Sequence, residues 1–313
     1  MLALLFPGQG SQAVGMGRDV HEASPAARAT FDAADRALGF SISRLCFEGP
    51  EDELRRTEIQ QPAILTTSIA LLRAVEEQRP LAPSYVAGHS LGEYSALVAA
   101  GALEFEDAVV LVNRRGRFMQ EAVAPGKGAM AALMGLEPEA VDDACRAAAA
   151  ETGGVVSSAN YNSPQQTVIA GEAAAVERAI ALAKERGAKR AIPLPVSAPF
   201  HCALMRPAAE KLAPELARVR FRDPRVPVIT NVEAAPNTSG ARIPALLEQQ
   251  VTAPVRFTES VKRLAALGVT QVVEIGPGSV LTGLVARIER GLARANVESR
   301  EGVQAVVSAG AGA

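Results

Sequence analysis

Tyr85-Val86-Ala87-Gly88-His89-Ser90-Leu91-Gly92-Glu93-Tyr94 is the stretch that decides the fold. Its apolar start, Tyr85 to Ala87, reads as the end of a buried strand, and Leu91 to Ala100 reads as a helix. Ser90 therefore falls on the turn between them, flanked by Gly88 and Gly92 as Gly-x-Ser-x-Gly. Strand, serine turn and helix in that order make a nucleophile elbow. The glycines let two backbones crowd together while the serine is held strained and exposed, and the N–H after it faces the place where an oxyanion would form. The pattern alone matches many unrelated chains, and a tight turn whose serine merely caps a helix is the competing reading. The strand before it and the helix after it favour the elbow.

Working outward, Leu2 to Phe6 is a continuous apolar run, as expected of a strand buried on both faces of a parallel sheet. Pro7-Gly8-Gln9-Gly10-Ser11-Gln12 follows. Gly8-x-Gly10-x-x-Ala13 fits a dinucleotide fingerprint loosely, but Pro7 sits where that turn begins, and Asp32 and Asp35 fall inside a helical pattern from Ala26 to Leu38 instead of ending a second strand. The loop reads better as one that presents Gln9 beside the elbow. Gln61 to Gln78 is a long apolar-periodic helix ended by Pro80, and Glu104 to Ala122 is another, with a stripe of Ala108, Leu111, Val112, Phe118, Met119 and Ala122. Arg115 sits inside that stripe. A guanidinium on an inward face is costly unless it meets an anion: an internal salt bridge is one solution, a bidentate clamp for a substrate carboxylate the other.

After Pro125-Gly126-Lys127-Gly128 the pattern changes to strand (129–134), helix (137–150), strand (155–160), strand (166–170), helix (173–186) and strand (189–194). That β-α-β-β-α-β order is the split βαβ arrangement. The fold expected is α/β: an α/β-hydrolase-like large domain with a parallel sheet over 1–125 and 196–313, and a ferredoxin-like small domain inserted at 126–195. Asn160, Tyr161 and Asn162 end a strand of the insertion and could face the cleft between the two, or could be plain polar turn residues. The large domain resumes at Ser197-Ala198-Pro199-Phe200-His201-Cys202, with a helix over 203–219, a strand over 226–231, helix over 245–268 broken at Pro254, a strand over 271–275, a helix over 280–290, and a frayed end from Ala305 to Ala313.

Nearly half of the 313 residues are hydrophobic, enough for a large core without disulfides. A formal net charge of −2 leaves no excess positive charge for nucleic acid. Cys46, Cys145 and Cys202 are odd in number and lack Cys-x-x-Cys spacing, which argues against a disulfide framework or a metal site and suits a reducing cytoplasm. No apolar run approaches membrane-spanning length, and the N-terminal run is too short for a signal peptide.

A serine near its free pKa needs an adjacent base. Of His21, His89 and His201, His21 starts a charged surface helix and His89 projects away from its neighbour Ser90. His201 remains, downstream of the serine as in α/β-hydrolase order. A lone histidine in a proline-bounded loop is usually structural; beside an elbow it is the base left by elimination. No acidic residue obviously completes a triad, which leaves an amide or a backbone carbonyl to orient the imidazole.

Phe6-Pro7-Gly8-Gln9-Gly10-Ser11-Gln12, Gly88-His89-Ser90-Leu91-Gly92-Glu93-Tyr94, Arg115-Gly116 with Phe118-Met119, Ala159-Asn160-Tyr161-Asn162-Ser163-Pro164, His201-Cys202-Ala203-Leu204-Met205 and Glu274-Ile275-Gly276-Pro277-Gly278 occur in this order. In them the chain resembles the malonyl-CoA:acyl carrier protein transacylases, from about residue 3 to residue 290. The resemblance implies Ser90 as nucleophile and His201 as general base, held by the backbone carbonyl of Gln250. It implies the backbone N–H groups of Gln9 and Leu91 as the oxyanion hole, Arg115 as the clamp for a malonyl carboxylate and Met119 as a pocket wall, with Asn160, Asn162 and Phe200 also in the substrate site. Phe200 stands where many fatty-acid-synthase members have serine and is similar to the malonyl-selecting form of polyketide acyltransferases. The implied substrate is malonyl-CoA, with coenzyme A as part of the substrate and no cofactor. The implied partner is an acidic acyl carrier protein, for which Lys184, Arg186, Lys189 and Arg190 are the candidate basic surface. A serine thioesterase, whose product would be free malonate, and a catalytically idle carrier-docking module are the rival readings.

Overall fold

The apolar runs read as strands come together at the centre of the molecule. The computed structural model describes residues 1–196 and 198–309. The first segment runs β1 (Leu2–Phe6), α1 (Arg18–Ala23), α2 (Pro25–Leu38), α3 (Ile42–Glu48), α4 (Glu51–Leu54), α5 (Thr57–Gln78), β2 (Tyr85–Gly88), α6 (Gly92–Ala99) and α7 (Phe105–Glu121). The inserted segment runs β3 (Gly128–Met134), α8 (Pro138–Thr152), β4 (Val156–Ser163), β5 (Gln166–Glu172), α9 (Ala173–Glu185) and β6 (Arg190–Pro193). The return runs α10 (Arg206–Arg218), β7 (Val228–Ile229), β8 (Pro236–Asn237), α11 (Ile243–Thr252), α12 (Phe257–Ala266), β9 (Gln271–Ile275), α13 (Val280–Ile288), β10 (Ala293–Val297) and α14 (Arg300–Ala309).

The large sheet has the order β10-β9-β1-β2-β7-β8, parallel except for the terminal β7–β8 pair. β1 is central, with Leu4 opposite Val86 of β2 on one side and Val273 of β9 on the other. Its side chains alternate between two cores. Leu4 and Phe6 join the cluster built with α2, α5, α6 and α7, while Ala3 and Leu5 join the one built with α12 and α13. A strand covered on both faces has to be apolar throughout, which is why the run carries no polar residue.

α5 begins at Thr57, a turn earlier than the sequence pattern suggests, and carries Pro62 inside it. Proline has no N–H to give the carbonyl four residues back. Asn113 of α7 supplies the missing donor, its Nδ2 reaching the Glu58 carbonyl at 2.7 Å. The two helices are registered there, close to where Gln61 and Arg115 face each other.

The insertion folds as its β-α-β-β-α-β pattern predicts, into an antiparallel sheet of order β4-β5-β3-β6. Ala131 and Leu133 pack under α8 and α9, and the alternate residues Met130 and Ala132 join the large core. β4 is also stitched to the return segment just after Pro254 has stopped α11. Tyr161 N donates to the Val255 carbonyl and Val255 N to the Ala159 carbonyl, both at 2.9 Å. Thr258 Oγ1 reaches the Tyr161 carbonyl at 2.9 Å.

Three expectations change. The strand expected over 226–231 shrinks to Val228–Ile229, because Pro227 has no N–H for a ladder and Asn231 turns toward the elbow. The end of the chain is not frayed as far as Ala309: β10 adds a strand beside β9, and α14 buries Val303 against the main core. The rest of the expected frayed end, 310–313, lies outside the described residues, as does Ser197. His21, expected to start a charged surface helix, lies in the last turn of α1 instead, its partly buried ring packed on Phe31 and Phe47 at centroid distances of 5.7 and 5.0 Å.

Candidate active site

β2 delivers the chain to the elbow and α6 carries it away, and the two flanking glycines leave no alternative. A Cβ on Gly88 would lie 2.0 Å from the Gly92 carbonyl, and one on Gly92 would lie 2.0 Å from the Phe6 carbonyl. With the backbones that close, Ser90 is forced to φ 51°, the left-handed region that non-glycine residues avoid. The strained turn is held from the other end of the chain. Asn231 Oδ1 accepts from Ser90 N at 2.7 Å, and Asn231 Nδ2 donates to the Gly88 carbonyl at 2.6 Å.

His201 arrives on the loop leading to α10, also at positive φ, 59°. Its Nε2 lies 2.7 Å from Ser90 Oγ and its Nδ1 lies 2.8 Å from the Gln250 backbone carbonyl. A carbonyl can only accept, so Nδ1 carries the proton and Nε2 is left free to accept from the serine. Burial, reinforced by the nearby Arg115 charge and opposed by the Gln250 carbonyl, pushes the imidazole down to about 3 from its ordinary 6.5. The sign is that of a base kept unprotonated in the folded state. An NMR titration of isotope-labelled histidine should show the His201 ring neutral down to about pH 5, whereas an unperturbed imidazole is half protonated near 6.5. A His201 midpoint at the ordinary value would contradict this geometry.

Arg115 is fully buried at the inner side of the serine. Its Nη1 donates to Gln61 Oε1 at 2.7 Å, and its Nη2 to Gln250 Oε1 at 2.9 Å and to Ser90 Oγ at 3.2 Å. Its guanidinium carbon stands 5.5 Å from the Tyr94 ring centroid. Among the described residues it forms no ion pair; its Nε is buried and meets no partner in hydrogen-bond geometry, while the buried Tyr94 side chain acts on the guanidinium from beside it. The internal salt bridge considered from the sequence is therefore not the solution adopted. The nearest buried carboxylate, Glu93, reaches Arg115 only through Gln250, whose Nε2 donates to Glu93 Oε2 at 2.7 Å. Burial raises Glu93 to about 7, opposed by hydrogen bonds from Gln250 and from Asn231 N and by the Arg115 charge.

The serine opens onto a cleft of about 780 Å³ between the large sheet and the insertion. Gln9, His89, Ser90, Met130, Asn160, Phe200 and His201 line it, with Arg55 and Arg56 toward the mouth. The backbone N–H groups of Gln9 and Leu91 meet no acceptor among the described residues. Gln9 is steadied through its side chain, which donates to Gln60 Oε1 at 2.5 Å. Of the residues singled out in the sequence, Arg115, Met119 and Gln250 lie behind the cleft wall. Met119 touches Gln61 Nε2 through sulfur at 3.9 Å, and Asn162 turns its side chain to His89 Nε2 at 2.8 Å. Glu93, Asn231, Gln60 and Gln61 were not singled out. Glu93 had one signal: a carboxylate on a helix whose neighbours Leu91, Tyr94, Ala96 and Leu97 are all apolar cannot avoid burial.

The acyl transferase domain family matches residues 3–307. The malonyl CoA-acyl carrier protein transacylase of Escherichia coli K12 is 54% identical over 286 residues, covering 91% of this chain and 92% of that protein. The crystal structure of an acyl carrier protein S-malonyltransferase from Vibrio cholerae superposes with a TM-score of 0.95 at 49% identity, covering 97% of this chain and 99% of that one. A type II PKS acyl-carrier protein in complex with its malonyl-transacylase gives 0.95 at 48% identity, covering 98% and 99%. With an imidazole and a buried arginine both in contact with an elbow serine, and with these matches along nearly its whole length, the chain belongs to the acyl transferase domain family, among the malonyl CoA-acyl carrier protein transacylases.

Proposed function

We propose that the protein moves a malonyl group from coenzyme A, through an ester on Ser90, to the phosphopantetheine thiol of acyl carrier protein. Ser90 Oγ gives its proton to His201 Nε2 and attacks the thioester carbon. The oxyanion is met by the two unengaged N–H groups of Gln9 and Leu91, each worth about 3 kcal/mol in comparable sites. The C–S bond breaks, and the departing coenzyme A sulfur takes the proton back from Nε2. The carrier thiol then gives its proton to Nε2 and attacks the ester, and Ser90 leaves with that proton. Every proton and bond is accounted for by these groups, so coenzyme A enters as substrate and no cofactor is called for.

The single observation that carries the substrate assignment is Arg115, a buried guanidinium that touches the serine oxygen and has no carboxylate paired to it among the described residues. Nε meets no partner in hydrogen-bond geometry, and Nη2 faces the serine oxygen. These two nitrogens share one edge of the guanidinium, the edge that receives a carboxylate with two parallel hydrogen bonds. A malonyl ester has its carboxylate one methylene beyond the carbonyl carbon, and Arg115 Nη2 lies 3.2 Å from the oxygen that would carry that ester. Phe200, buried on the cleft wall, supports a small acyl group. Lys184, Arg186, Lys189 and Arg190 are the basic residues we assign to the acidic carrier. No helix among the described residues is long and apolar enough to cross a membrane, and the three free, buried cysteines suit a reducing cytoplasm. Intact-mass analysis after exposure to malonyl-CoA should find a malonyl ester on Ser90 that disappears when holo carrier protein is added, with malonyl-carrier formed. Free malonate as the main product would make the protein a thioesterase.

A further inference from the structure

We propose that Glu93 is a positioning residue for acyl-group selectivity, fixing which way round the Gln250 amide sits and thereby holding Arg115 Nη2 at the serine oxygen, where the carboxylate of the acyl group is met. This rests on the clamp reading of Arg115 given above.

A primary amide in a core can sit two ways, its oxygen and nitrogen exchanged. Here the choice is forced by what surrounds it. Glu93 Oε2 accepts both Gln250 Nε2 at 2.7 Å and Asn231 N at 3.0 Å. The Ser90 carbonyl accepts from the same Nε2 at 3.1 Å. Turning the amide over would set its oxygen against two acceptors and its NH2 against the donor Nη2 of Arg115. Because both donors meet the same oxygen of Glu93, that oxygen acts as an acceptor whether or not Oε1 carries a proton. With Gln250 Oε1 so aimed, Arg115 is pinned at Nη1 by Gln61 and at Nη2 by Gln250, which leaves Nη2 also in contact with Ser90 Oγ and Nε buried behind it.

The arrangement also solves an electrostatic problem. A fully buried guanidinium needs acceptors around it, and Gln61 Oε1 and Gln250 Oε1 supply them without a carboxylate in contact. A carboxylate in direct contact would occupy the edge the substrate needs. Glu93 lies one amide away, close enough to act on Arg115 and too far to cap it. It is fully buried and in no ion pair among the described residues, and its acceptor oxygen is used wholly within the site.

The test compares kcat/KM for Ser90 acylation by malonyl-CoA with that by acetyl-CoA, which has no carboxylate. Three variants are needed: Glu93→Leu, Glu93→Gln and Gln250→Leu, the last retaining the backbone carbonyl that holds His201. Glu93→Leu and Gln250→Leu should each lower the malonyl-to-acetyl ratio about ten- to a hundredfold, the scale of one lost buried hydrogen bond. Glu93→Gln, which keeps an acceptor, should restore most of it. If Glu93→Leu leaves the ratio unchanged while slowing both substrates, Glu93 merely supports the elbow and the proposal is wrong. It is equally wrong if Glu93→Gln loses as much selectivity as Glu93→Leu, since charge rather than amide orientation would then be responsible. Should Glu93→Leu not fold, Gln250→Leu decides the matter, and an unchanged ratio there overturns the proposal. Wild-type enzyme that does not favour malonyl-CoA would instead overturn the clamp reading itself.

Discussion

Replacing Arg115 by alanine should cut malonyl transfer roughly 10²- to 10³-fold while acetyl transfer is retained or rises. The size follows from removing one partner of a desolvated carboxylate–guanidinium pair, which costs about 2–5 kcal/mol. The direction for acetyl follows from what the guanidinium does to a neutral acyl group. An unpaired buried cation beside a methyl group is unfavourable, and its removal relieves that. Lysine should not rescue the variant. Its single ammonium cannot supply the Nε and Nη2 edge, nor reach Gln61 Oε1 and Gln250 Oε1 together as Arg115 does. Steady-state kinetics with the two thioesters check this directly, and equal losses for both would remove Arg115 from the selectivity argument. A modest fall in stability should accompany the change, since the two glutamine oxygens lose their donor.

The second large effect belongs to Ser90. Alanine at this position should abolish the acyl-enzyme and lower transfer by about 10⁴- to 10⁶-fold, as removal of a covalent nucleophile does elsewhere. The fold should survive. The elbow is held by backbone crowding at Gly88 and Gly92 and by Asn231 on the Ser90 amide, none of which involves the hydroxyl. Intact mass after malonyl-CoA exposure should show no added group, with a melting curve close to that of the wild type. Acylation persisting in Ser90→Ala would place the nucleophile elsewhere.

Much of this could be read from the chain because it depends on local pattern. The elbow announces itself through two glycines and a serine between an apolar strand and a helix, and β1 and β9 through uninterrupted apolar runs. The insertion was legible because its strands and helices alternate with clear turns between them. His201 could be reached by elimination because the chain has only three histidines. The parts that were missed depend on contacts across the chain. Asn231 serves the elbow from 141 positions away, and Glu93 meets Gln250 across 157. An asparagine after a short strand looks like any turn residue until its amide is seen on Ser90 N. β10 was overlooked because Ala293-Arg294-Ala295-Asn296-Val297 alternates weakly, as an edge strand with one wet face does. Pro62 hid the start of α5, since the donor that replaces its missing N–H lies on another helix.

The stitching of β4 to Val255 bears on traffic through the enzyme. Two backbone hydrogen bonds and the Thr258 hydroxyl tie the insertion to the return segment, and Met130 and Ala132 sink into the common core. The two walls are thus joined through backbone as well as through side-chain packing. In a reaction that takes two different pantetheine arms in turn, both meet walls tied together along the same strand.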